Sequence, residues 1–91
     1  LMNQEEEKSL IEFPCDFEIK VMGESNKNFS NDIISIIKKY DLNFDSSKIE
    51  MKGSSKGKYL SLSCNVYVTS QSQLDRIYTA LSKNPMTRFV L

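Results

Sequence analysis

The sequence contains no histidine. That removes the side chain that most often serves as a general base near neutral pH and as a neutral metal ligand. Cysteine is scarce as well. Cys15 and Cys64 stand alone and far apart, so neither a C-x-x-C redox pair nor a zinc site built on cysteines can be assembled. There is no excess of either charge, with twelve Lys and Arg against twelve Asp and Glu. A general electrostatic pull on nucleic acid or anionic membrane is therefore missing, and any basic site has to be local. No apolar run approaches the roughly 18 residues of a membrane helix. The N-terminus lacks the basic-then-apolar pattern of a secretory signal, and Met2 is read as the natural start. With both thiols taken as free, the expectation is a cytoplasmic protein with no membrane association, no metal and no other cofactor.

What is present is a strong pattern. The chain has 91 residues, the size of one domain. Residues 1–12 carry Glu5-Glu6-Glu7-Lys8 and read as a frayed or disordered tail, leaving 13–91 as the domain. The clearest element is a Gly/Ser/Lys turn, Lys52-Gly53-Ser54-Ser55-Lys56-Gly57-Lys58, running into Tyr59 to Val68. There Leu60, Leu62, Cys64, Val66 and Val68 alternate with Tyr59, Ser61, Ser63, Asn65 and Tyr67. Period two with β-branched and aromatic residues predicts a long half-buried strand. Phe17, Ile19 and Val21 predict an earlier strand ending at Gly23. Ile49 and Met51 predict a short one that forms a hairpin with the long strand, and Met86 to Leu91 predict the last.

Two helices fall between them. Phe29, Ile33, Ile36, Ile37 and Tyr40 share one helical face, with Asn28 or Ser30 as N-cap, Asp32 in the first turn and Lys38-Lys39 in the last. Leu42 or Phe44 is expected to tuck under the end of this helix. Ser70-Gln-Ser-Gln73 reads as a capping box opening a second helix whose apolar face is Leu74, Ile77, Tyr78 and Leu81. Asn84-Pro85 ends it.

The order strand, helix, strand, strand, helix, strand is that of two strand-helix-strand units joined by a hairpin. Right-handed crossovers place both helices on one side of an antiparallel sheet. The predicted fold is α+β, a ferredoxin-like split βαβ (βαββαβ) with strand order 4-1-3-2. Its core face is expected to hold Phe17, Ile19, Val21, Ile49, Met51, Leu62, Cys64, Val66, Phe89 and Leu91. Among the outer-face residues are Met22, Lys52, Ser61, Tyr67, Arg88 and Val90.

Phe13-Pro-Cys-Asp-Phe17 running into Ile19-Lys-Val-Met-Gly23 resembles the opening of the YbeD-like proteins, small bacterial proteins of unknown function. Ser54-Ser-Lys-Gly-Lys-Tyr59 with Ser61-Leu-Ser63 resembles their most recognisable segment. Gln73-Leu-Asp-Arg-Ile-Tyr78, Leu81 and Val90-Leu91 match the remainder, so the resemblance covers 13–91. It implies a ferredoxin-like fold similar to ACT-type regulatory domains, which bind small molecules, often amino acids. It implies no reaction. Genes of this kind lie beside lipoate-attachment genes in some bacteria, a hint from context alone.

Four candidate sites follow. The first is the turn, where Lys52, Ser54, Ser55, Lys56, Gly57 and Lys58 offer ammonium groups and small residues to a phosphate or carboxylate. The segment is no P-loop, since Gly53 and Gly57 are too close, Tyr59 replaces the magnesium-binding hydroxyl and a strand follows. The competing reading is a polar hairpin whose lysines keep a sheet edge soluble.

The second is the connector after the first strand. In ACT-type domains that loop commonly contributes to an effector site at a subunit interface, which the resemblance transfers to Gly23 and Asn26. The alternative there is a plain turn with a helix cap.

The third is the outer sheet face, where Met22, Tyr67, Arg88 and Val90 (with Met86) would form a small apolar patch amid charge. Such a patch suits a protein partner or a homodimer. Base stacking on this face is the weaker reading: no RNA-binding motif is present and nucleic acid is not expected.

The fourth is catalysis. It finds no support, because no histidine can activate either thiol, and Glu18 and Glu50 belong to strands that do not adjoin. With catalysis unsupported, the resemblance to ACT-type domains implies a non-catalytic regulatory or ligand-sensing module with a small-molecule effector, an amino acid or other small anion. A protein-protein adaptor is the alternative, and RNA binding a more distant one.

Overall fold

The computed structural model describes residues 11–91. The tail expected over 1–12 lies outside the described residues as far as residue 10, and Ile11 and Phe13 pack against the core. In chain order the elements are β1 (Cys15–Glu24), α1 (Phe29–Lys38), a single 3-10 turn (Ser46–Lys48), β2 (Ile49–Gly53), β3 (Tyr59–Val68), α2 (Gln71–Ser82) and β4 (Thr87–Val90). Among the described residues the strands form one four-stranded antiparallel sheet of order β2-β3-β1-β4. This is the predicted order read from the other edge.

Local chemistry explains where the helices begin. Asn28 occupies the N-cap of α1 without a side-chain cap bond. Asn26 acts instead: its Oδ1 accepts from Asn28 N at 2.8 Å. At α2, Ser70 Oγ accepts from Gln73 N at 3.1 Å. Gln73 Oε1 reaches back to Thr69 N at 2.6 Å, one residue before the usual partner of a capping box. Burial follows helical spacing: Phe29, Ile33 and Ile37 on α1, and Leu74, Ile77 and Leu81 on α2. These close over Ile19, Val21, Leu62, Cys64, Val66 and Val68 of the two central strands.

The loop after α1 is settled by one side chain and one carboxylate. Phe44 is fully buried and Leu42 is exposed. Asp41, the buried charged residue among those described, accepts from Asn43 N at 3.2 Å and from Tyr67 N at 3.1 Å. It thereby ties the exit of α1 to the end of β3, and its buried oxygens stay hydrogen-bonded, as burial requires.

The last strand departs from expectation. Met22 faces Phe89, Val21 faces Val90 and Gly23 faces Thr87, with a register shift between Met22 and Gly23. Arg88 is the extra residue of a β-bulge. One inserted residue reverses the side to which everything after it points. Val90 therefore sits on the core side with Val21 and packs against the core, as Met86 does. Phe89 shares the outer face with Met22, and Leu91 follows it out there through mutual backbone bonds with Lys20 (2.7 and 3.0 Å). The assignment of Phe89 and Leu91 to the core and of Val90 to the outer face is thus corrected. Met51 points to the helix side, opposite Leu62, yet remains 55% exposed. It lies on an edge strand exposed along nearly its whole length, beyond the reach of the helices.

Candidate functional site

The register lines up a continuous row across the outer face. Phe89 on β4, Met22 on β1, Ser61 on β3 and Lys52 on β2 are successive neighbours. The row runs from apolar at one edge to cationic at the other. One step toward the hairpin, Glu24 lies beside Tyr59. Arg88 Nη2 donates to Glu24 Oε2 at 2.6 Å, so the bulge residue makes a charge-assisted bond to β1.

The hairpin closes over the basic end of this row. Ser54 N donates to Tyr59 O at 3.0 Å and Tyr59 N to Ser54 Oγ at 3.2 Å. Gly57 has φ +69°, a left-handed backbone conformation that glycine adopts without steric cost. Between the turn and the sheet lies a groove of about 410 Å³, lined by Met22, Lys52, Gly53, Ser54, Ser55, Tyr59 and Ser61. It joins one cation and several hydroxyls to an apolar wall of Met22 and the Tyr59 ring. That combination can seat a small molecule with an anionic end and an apolar body.

The structure thus brings Lys52, Ser54 and Ser55 together and adds Met22 to them. Lys56, Gly57 and Lys58 occupy the exposed turn and do not line the groove. The connector after β1 meets the same end of the sheet, because Ser25 N donates to Lys58 O at 3.1 Å. Within it Asn26 is committed to the turn: its carbonyl accepts from Phe29 N at 2.9 Å, in addition to its cap of Asn28. Gly23 is buried, and the space above its Cα is filled by the Phe29 ring and the Met86 carbonyl. The expected approach of a ligand to Gly23 is replaced by core packing.

The outer-face patch is rearranged too. Tyr67 is half-exposed at the far end of β3, beside Asp16. Met22 faces Ser61, about 20 Å along the strand from Tyr67 at the ordinary rise, so the two do not share a patch. The apolar neighbours of Met22 are Phe89 and Leu91, both exposed. Sequence reasoning put these two in the core because no local signal marks the bulge at Arg88. Tyr59 and Tyr67, the two aromatics on the outer side of β3, sit at opposite ends of the strand, about 26 Å apart, too far to stack neighbouring bases.

Chemistry beyond binding is sparse. Among the described residues no group of three or more His, Cys, Asp and Glu could hold a metal ion. Burial pushes the Cys64 thiol up to about 12, which keeps it protonated and unreactive. Cys15 faces Val68 while Cys64 faces Ile19, placing the thiols about 13 Å apart along the sheet, beyond disulfide reach. No helix among the described residues is long and apolar enough to cross a membrane.

A family model described as "Protein of unknown function (DUF493)" matches residues 8–91. A UPF0250 protein of Nitrosomonas europaea is 47% identical over 85 residues, covering 93% of this chain and 98% of the relative. One from Paraburkholderia phytofirmans is 45% identical over 84 residues, covering 92% and 94%. These relatives uphold the resemblance to YbeD-like proteins. The solution structure of a protein from H. pylori superposes with a TM-score of 0.77 at 21% identity, covering 100% of this chain and 96% of that one. The ACT domain of a GTP pyrophosphokinase from Chlorobium tepidum superposes at 0.65 and 22% identity, covering 85% and 97%. Both structural likenesses concern the fold.

Proposed function

The chain belongs to the DUF493 family, proteins of unknown function, and we propose that it is a non-catalytic, cytoplasmic module that senses a small molecule in the groove beneath the 53–58 hairpin. The observation that carries this reading is the convergence of Lys52, Ser54, Ser55 and Ser61 with Met22 and Tyr59 around one opening. The ligand class is a small carboxylate or phosphate with an apolar portion, an amino acid being the simplest example. The ammonium of Lys52 meets the anionic end, the hydroxyls orient it, and Met22 and Tyr59 cover the rest. The ACT-like fold is compatible with such a role.

A thermal-shift series with amino acids, small dicarboxylates and inorganic phosphate tests the proposal. A ligand that binds the folded chain raises the melting temperature by mass action. Lys52→Gln is expected to abolish the rise, and Lys56→Gln to leave it intact because that side chain lies outside the groove. A response that survives Lys52→Gln would move the site elsewhere.

A second reading, a protein-protein adaptor, is favoured by the exposure of Phe89 and Leu91 beside Met22. It predicts that metabolites leave the melting temperature unchanged. Phe89→Ser would then weaken capture of a partner from cell extract without lowering stability.

A further inference from the structure

We infer that β2 is a self-complementary edge through which two copies of this chain pair into one continuous antiparallel sheet. The two edges of the sheet differ in kind. β4 is a short strand of four residues interrupted by the Arg88 bulge and preceded by Pro85, features that discourage pairing. β2 has an unbroken register with β3, with no proline and no bulge, and its residues are exposed from Glu50 through Gly53.

The direction of its free backbone groups can be read from the hairpin. Ser54 N donates to Tyr59 O, and the register then alternates one for one. Lys52 and Glu50 therefore turn their N–H and C=O toward β3, and Ile49, Met51 and Gly53 turn theirs to the open edge. Of these, Ile49 N is held by Ser46 O in the preceding turn, which leaves its carbonyl free.

A two-fold axis through Met51 satisfies this pattern. Met51 exchanges both backbone bonds with the Met51 of the second copy, and each Ile49 carbonyl accepts from the other copy's Gly53 N–H. The same axis sets Glu50 opposite Lys52 and Lys52 opposite Glu50 on the outer face, two opposite-charge cross-strand pairs from one short sequence. On the helix side Met51, exposed in the single chain, meets its copy. A parallel pairing of the same two edges would turn one copy over and set Glu50 and Lys52 beside Ile49, Met51 or Gly53 of the other, so the two charge pairs form only in the antiparallel arrangement, which selects orientation. A lone lysine on an edge strand prevents association, and Glu50 converts that block into a lock for one partner, a second copy. This assembly goes beyond the ligand reading and does not depend on it.

Sedimentation velocity over a concentration series reads the outcome. The chain is expected to show a reversible monomer-dimer equilibrium. Met51→Pro removes an edge-facing N–H without touching the β2–β3 ladder, so it is expected to abolish the dimer while the melting transition remains. Glu50→Lys alone and Lys52→Glu alone are each expected to weaken association about tenfold, from reversed charge pairs. Mixing the Glu50→Lys protein with the Lys52→Glu protein is expected to restore association as a mixed dimer. A chain that stays monomeric at millimolar concentration overturns the inference. So does a dimer indifferent to Met51→Pro, or a mixture that associates no better than either variant alone.

Discussion

Phe29 and Gly23 are locked by shape. A Cβ on Gly23 would lie within 2.6 Å of Phe29 Cε1 and 2.5 Å of the Met86 carbonyl oxygen. Phe29 is the first residue of α1 and is fully buried, so its ring anchors the start of the helix onto the end of β1.

Gly23→Ala is therefore expected to destabilise the fold by about 1–3 kcal/mol through overpacking. A urea titration checks this. Pairing the change with Phe29→Leu should recover part of the loss, because a smaller side chain at 29 gives the new methyl room. An alanine variant as stable as the parent would mean that both the Phe29 ring and the Met86 carbonyl can shift.

The bulge at Arg88 makes a paired prediction about β4. Val90 packs against the core and Phe89 is exposed on the other side. Val90→Ala is expected to cost about 1 kcal/mol of stability by lost burial. Phe89→Ser, although it removes far more apolar surface, is expected to stay within about 0.5 kcal/mol of the parent. The reverse ranking in denaturant titrations would put the strand back in its unbulged phase.

Cys64 predicts a pH dependence with a definite sign. Its thiol is raised from 9.0 to about 12 by burial, so between those values the unfolded chain releases a proton that the folded chain keeps. Its contribution to stability is therefore fully present below pH 9.0 and declines as the pH rises toward 12. Cys64→Ala is expected to flatten that part of the alkaline stability profile. In the native protein at mild pH, iodoacetamide should label the half-exposed Cys15 well before the buried Cys64. Equal labelling rates would contradict the burial.

Much of this molecule was legible in one dimension. The alternation from Tyr59 to Val68, the helical spacing of Phe29, Ile33 and Ile37, and the Ser70–Gln73 signal predicted elements that the structure contains. They were legible because each depends on a period or a cap, interactions between residues a few positions apart. Together they left a single simple topology, and the strand order followed. Lys52, Ser54 and Ser55 could be singled out for the same reason, as polar groups in a turn that the flanking strands delimit.

Contacts between distant segments decided the rest. Nothing between residues 86 and 91 marks Arg88 as an extra residue. The bulge exists only relative to β1, and it sends Val90 inward and Phe89 outward. Gly23 reads as a flexible turn until Phe29 is seen to fill the space above it. The groove is tertiary in the same sense: Met22 reaches Lys52 only because β3 lies between their strands, with Ser61 bridging the row. Periodicity determines which face of an element is apolar, because it is a property of neighbours along the chain. Register determines which residues of different elements share a surface, and that is settled only when the strands pair and the core closes.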